Sequence, residues 1–199
     1  NDICGLTENE IENALKSIAD ECGLSEKNIK EAAGLMKTYY NGYKFAHNAE
    51  QFVYNPTLSL YFLDYLYEDC KYPDEMLDYN LATDDAKLEY IAQVSSGQQM
   101  LLELMRENRS VDIPKLTNRF GIREMLNDQS KDNDFMKAFL YYFGVLTVSG
   151  RTQDGEIRLK IPNLAIQGLY ADKICQMLLP EPVKRDEGKD AAKKLYKKG

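Results

Sequence analysis

The sequence predicts a mainly α fold with a small β-hairpin, in two subdomains, the second winged-helix-like. Three observations carry that expectation. Apolar residues recur every three or four positions behind capping residues through the first third of the chain. The stretch VLTVSGRTQDGEIRLKIP holds two β-patterned runs around a Gly-containing turn. The order of elements, helices then a short extended piece, a helix and a hairpin, is that of a winged helix.

LTENEIENALKSIADECGLS opens the first helix. Thr7 stands three residues before Glu10, the spacing at which hydroxyl and carboxylate each satisfy the other's free backbone N–H. Ile11, Leu15 and Ile18 follow on one face, and Gly23 ends the run. SEKNIKEAAGLMKTYY repeats the arrangement, with Ser25 as cap and Ile29, Ala32, Ala33 and Met36 as the stripe. After the aromatic loop YNGYKFAHNAEQFVYNP, Asn55 caps a third helix and Pro56 suits its first turn. Leu58, Phe62 and Tyr65 give its apolar face, with Leu66 alongside.

KYPDEMLDYNLATDDAKLE is polar and irregular and marks a boundary, so residues 1–80 and 81–179 are expected to form the two subdomains. In the second, DDAKLEYIAQV and GQQMLLELMRENR read as helices and VDIPKL as a short extended piece broken by Pro114. NDFMKAFLYYFGVL is an apolar helix ending near Gly144. Gly150 and Asp154-Gly155 are expected to make the hairpin turn, and Asn163 to cap a last amphipathic helix. Residues 180–199 are Pro-bounded and highly charged, as in a linker toward a further C-terminal domain.

Length and charge narrow the function. The 199 residues carry a net charge of −7, which argues against a general nucleic-acid binder, whose affinity comes mostly from Lys and Arg on phosphate. A local basic face stays open. No apolar run approaches the roughly 18 residues of a membrane helix, and no signal peptide precedes the first helix. The chain opens at Asn1, as expected of a piece of a longer protein. Cys4, Cys22, Cys70 and Cys175 lie in no close pair and there is one His, so neither a zinc site nor disulfides are expected. Buried thiols in a reducing cytoplasm fit better.

Few residues offer chemistry. There is no GxxxxGK[ST] loop and no GxSxG elbow. His47 is a lone loop histidine. Asp84-Asp85 and the Asp132, Asp134 pair lie at helix starts, where carboxylates satisfy free N–H groups. Glu187-x-Lys189 matches the ExK of a metal nuclease, but in a polar stretch with no strand around it. Arg109, Lys115, Arg119, Arg123, Arg151, Arg158 and Lys160 surround the extended piece and the hairpin; on one exposed face they would suit a stand-alone winged-helix DNA-binding module. The helix in the recognition place is apolar and reads as core. An enzyme would instead need a pocket lined by Tyr40, Tyr43, His47 and Tyr54 with convergent carboxylates.

YYNGYKF followed by VYNPTLSLYFL resembles a signature of the AAA-ATPase-like family, a YDGY-F element followed by VYNP and a helix. The later FLYYFGVLTVSG and GEIRLKIPNLAIQGLYADKI resemble that family's closing section. The resemblance implies a helical lid at 1–80 and a winged helix at 81–179, lying between a P-loop ATPase core and a nuclease-like PD-(D/E)xK domain that often ends such chains. It implies no catalytic residue and no metal here. ATP and Mg²⁺ would belong to the parent's core. Partners would be that core and the nuclease-like domain, with nucleic acid or protein at the winged helix, and no membrane. Tyr40, Asn41, Gly42, Tyr43, Phe45, Tyr54, Asn55 and Pro56 carry over as a structural lid signature. Of these, Tyr43, Phe45 and Tyr54 are expected to be buried between the lid helices.

Overall fold

A computed structural model describes residues 5–45, 49–77, 100, 102–104, 110–117 and 132–178, with 173–178 as backbone. Helix α1 spans Glu8–Cys22 behind the expected box: the Thr7 N–H donates to Glu10 Oε2 at 2.7 Å and the Glu10 N–H to Thr7 Oγ1 at 3.3 Å. Gly23 stops it in the left-handed region at φ 64°. Helix α2 spans Glu26–Tyr40, with Ser25 and Asn28 exchanging the same pair of bonds. Helix α3 spans Pro56–Asp69 and starts where Asn55 Oδ1 accepts from the Leu58 N–H at 3.1 Å.

The three helices enclose one core of Ile11, Leu15, Ala32, Met36, Tyr40, Tyr54, Leu58, Phe62, Leu63 and Leu66. Each such large side chain contributes about 1.5–3 kcal/mol by leaving water. Ile18, Ile29 and Ala33 sit half-buried at its margin; Tyr65, expected on the apolar face, is half-buried, and Leu63 belongs to the core instead.

The expectation of free thiols fails at one pair. Cys22 and Cys70 form a disulfide with Cα atoms 5.5 Å apart. Cys22 ends α1, and Cys70 caps α3 in the left-handed region at φ 52°. Packing α1 on α3 brings these two helix ends together, and a sequence separation of 48 leaves no local signal of that meeting.

Strand β1 (Ser110–Ile113), helix α4 (Asn133–Tyr142), strands β2 (Thr147–Arg151) and β3 (Ile157–Lys160) and helix α5 (Leu164–Leu178) follow. The sheet is antiparallel in the order β1-β3-β2. Val111 and Val148 both pair with Leu159 on its inner face, while Ser110, Asp112 and Arg158 point the other way. Asp132 caps α4, accepting from the Phe135 N–H at 2.7 Å, and Asp134 bonds Lys137, so both carboxylates serve the helix start. Phe135, Met136, Ala138, Phe139, Leu140 and Tyr141 are buried, which makes α4 a core helix.

The hairpin turn is narrower than expected. It closes at Thr152–Glu156, with the Gly155 N–H on Thr152 O at 3.1 Å and Gly155 at φ 85°. Gly150 lies inside β2, where the register shifts between Val148 and Gly150. It makes a bulge there, not the turn.

The sheet, α4, α5, Met100 and Leu104 build a second core. The boundary expected near residue 80, the helix at DDAKLEYIAQV, most of GQQMLLELMRENR, Asp84-Asp85, Glu187-x-Lys189, Cys4 and the tail 180–199 lie outside the described residues. Among the described residues, no helix is long and apolar enough to cross a membrane.

Candidate functional site

The two cores meet at the aromatic loop. An extended chain points successive side chains to opposite sides, and the loop uses this twice. Tyr43 pairs with Val53 through N–H to O bonds of 3.1 and 2.9 Å, and Leu6 pairs with Tyr54 at 3.2 and 2.8 Å. Tyr43 and Val53 then fill the second core, and Tyr54 fills the first. Helix α5 does the same with Ala165 in the first core and Ile166 in the second.

Polar bonds lock the junction. Tyr40 ends α2 fully buried, and its hydroxyl donates to Met76 O at 2.8 Å. Its carbonyl accepts from the Asn55 N–H at 2.9 Å. Asn163 caps α5, accepting from the Ile166 N–H at 3.1 Å, and its Nδ2 donates to Asn41 O at 3.0 Å. Gly42 sits at φ 109°, and a Cβ there would collide with the Pro162 carbonyl. Only glycine suits both demands. The YNGY and IPN stretches, 122 residues apart, are thus in direct contact.

Glu8 is the carboxylate at this junction. Its oxygens accept from Tyr54 OH at 2.9 Å, Asn41 Nδ2 at 3.3 Å and Lys37 Nζ at 3.1 Å. Burial pushes the Tyr40 phenol far above its usual range, and burial together with the bond to Glu8 does the same for Tyr54. Both stay protonated at neutral pH, and their hydroxyls are already engaged. Tyr40 and Tyr54 face one core and Tyr43 the other. His47 lies outside the described residues.

Phe45 breaks the expected pattern. Tyr43 is 4% and Tyr54 1% exposed, but Phe45 is 43% exposed. It stacks on Tyr43 at 6.1 Å, outside the core, and its carbonyl accepts from Tyr141 OH at 2.8 Å. The loop turns its outer side to solvent there.

The basic residues divide. Arg109, Arg119 and Arg123 lie outside the described residues, and Lys115 is exposed beside β1. Arg158 and Lys160 lie on the outer face of the sheet with Asp112, while Arg151 pairs with Ile157 at the hairpin end. Arg158 grips Asp112 through two bonds of 2.8 and 3.1 Å, which hold that carboxyl below its usual range. Arg151 donates to Gly155 O at 2.6 Å. An open cleft of about 450 Å³ runs along Ser110, Asp112, Ser149, Arg158 and Lys160. A second, of about 420 Å³, adds Arg151, Thr152, Gln153, Asp154 and Glu156. At the rim, Lys44 and Lys160 hold their ammonium groups 5.7 and 5.5 Å from the ring centre of Phe52. Neither Lys44 nor Phe52 stands out in the sequence. A charge-and-aromatic alternation through YKF and QFVY is the only trace.

Comparison with protein-family models, curated proteins and solved structures finds no match to this chain.

Proposed function

We propose that this chain is the non-catalytic lid and winged-helix portion of an AAA-type ATPase, passing nucleotide state from a P-loop core to a partner or nucleic-acid surface. One observation carries the reading: the two stretches that resemble the family signature, Tyr40–Pro56 and the IPN segment, lock together through Asn163, Asn41 and Gly42. A lid must move as one body to relay a signal, and this junction couples the helices to the sheet. The strand order β1-β3-β2, with α4 between β1 and the hairpin, suits a winged helix. ATP and Mg²⁺ belong to the parent's core, and a nuclease-like domain to its end. The cytoplasm is the compartment this reading implies; the Cys22–Cys70 bridge would be reduced there.

The test combines this chain with the P-loop core of its parent reading frame. ATP hydrolysis by the core should change severalfold when the chain is added, and Asn163→Ala should weaken that effect. The chain alone should not bind Mg-ATP in calorimetry. Low-micromolar binding by the chain alone, or a core indifferent to it, overturns the reading.

A further inference from the structure

We infer that Phe52, flanked by Lys44 and Lys160, forms a stacking site for single-stranded nucleic acid on the outer side of the loop. The site names the ligand of the surface left open above and rests on that reading only there. Its test uses this chain alone, so its failure leaves the lid reading standing.

Phe52 is 41% exposed, although an aromatic side chain gains most when covered. Two ammonium groups converge on it from different parts of the chain, one from the loop and one from β3. Among the described residues neither has a carboxylate partner, whereas Lys37, Lys137 and Arg158 are each paired. Two like charges beside one ring repel each other. In a chain of net charge −7 their convergence calls for an anion. The site is built into the fold, because the Lys44 N–H donates to Thr147 Oγ1 at 2.6 Å and Thr147 pairs with Lys160 across the sheet.

The neighbouring cleft continues the same chemistry. From Lys160 it runs past the hydroxyls of Ser110 and Ser149 to the ion pair of Arg158 with Asp112, whose charges offset each other. A flat ring for a base, two free cations for flanking phosphates and hydroxyls for sugar or phosphate oxygens are the parts of a single-strand platform. A duplex keeps its base faces inside its own stack and cannot use the ring.

The chain has no Trp, so Phe52→Trp introduces a single indole at the site, which is excited apart from the tyrosines. A labelled oligo(dT) 20-mer should bind the wild-type chain at low salt and quench the indole of Phe52→Trp. Phe52→Ala should weaken binding about tenfold, within the range of one base–aromatic stack, without moving the thermal midpoint. Lys44→Gln and Lys160→Gln should each reduce the slope of log K against log salt by about 0.7. A duplex of equal length binding as tightly, unchanged affinity in Phe52→Ala, or unquenched indole at saturating oligonucleotide overturns the site. Equal affinity for an acidic peptide such as oligoglutamate also overturns it and marks a surface for protein.

Discussion

The inner and outer sides of one loop differ more than its composition suggests. Inward, Tyr40, Tyr43, Val53 and Tyr54 are buried, and Gly42 is pressed against Pro162. Outward, Lys44, Phe45 and Phe52 meet solvent within a residue or two of them. Aromatic rings stand on both sides, so ring chemistry does not distinguish structure from recognition. Position along the loop does: Tyr43 and Val53 pair with each other and are covered, while Phe45 and Phe52 lie past that pairing and meet solvent.

That contrast is breakable by mutation. The largest effect is expected for Tyr54→Ala, which opens a cavity in the first core and removes one of the three bonds to Glu8. It should cost about 3–5 kcal/mol in a denaturant melt, as other large aromatic deletions do. Gly42→Ala should cost about 2–4 kcal/mol, from the unfavourable positive φ and the collision with Pro162. Equal stability of Gly42→Ala and wild type would mean that the junction is looser than described.

A pH titration sharpens the same comparison. The raised phenols of Tyr40 and Tyr54 give stability that is complete at neutral pH and lost as pH rises above the ordinary phenol pKa of about 10. Each should contribute up to about 1.4 kcal/mol of loss per pH unit there. The lowered carboxyl of Asp112 works in the opposite sense. Its contribution is present above the ordinary Asp pKa of about 4 and is lost below it. Asp112 and Arg158 are partly exposed, so that term should stay under about 1 kcal/mol. Alkaline melts of Tyr54→Phe beside acid melts of Asp112→Asn check both signs. The smallest effect is expected for Phe45→Ala, about 0.5 kcal/mol. A loss like that of Tyr54→Ala would put Phe45 in the core after all.

Much of the fold was legible because it is locally encoded. Thr7, Ser25, Asn55, Asp132 and Asn163 each cap the helix that their position predicts. The hairpin was legible as well, though Gly150 misled, since a glycine serves a bulge as readily as a turn. What escaped was non-local. The Cys22–Cys70 bridge, the Asn163–Asn41 bond and the convergence of Lys44 and Lys160 on Phe52 depend on which helix ends and strand edges meet. Arg158 and Lys160 lie on one face, and Asp112 arrives on it from a different strand. Burial of Phe45 was misjudged because it lies on the same side as the buried Tyr43 and stacks on it, yet beyond the edge of the core, and spacing does not reveal where a core ends.

The side chains shared between the cores have a thermodynamic consequence. Val53 and Tyr54 are neighbours in the chain yet serve different cores, as do Ala165 and Ile166. Neither core can lose its lining without dislodging the other's, so helices and sheet should melt in one transition. A ligand held on the sheet would therefore raise the melting temperature of α1, α2 and α3, which it never touches, by linkage to the common unfolded state.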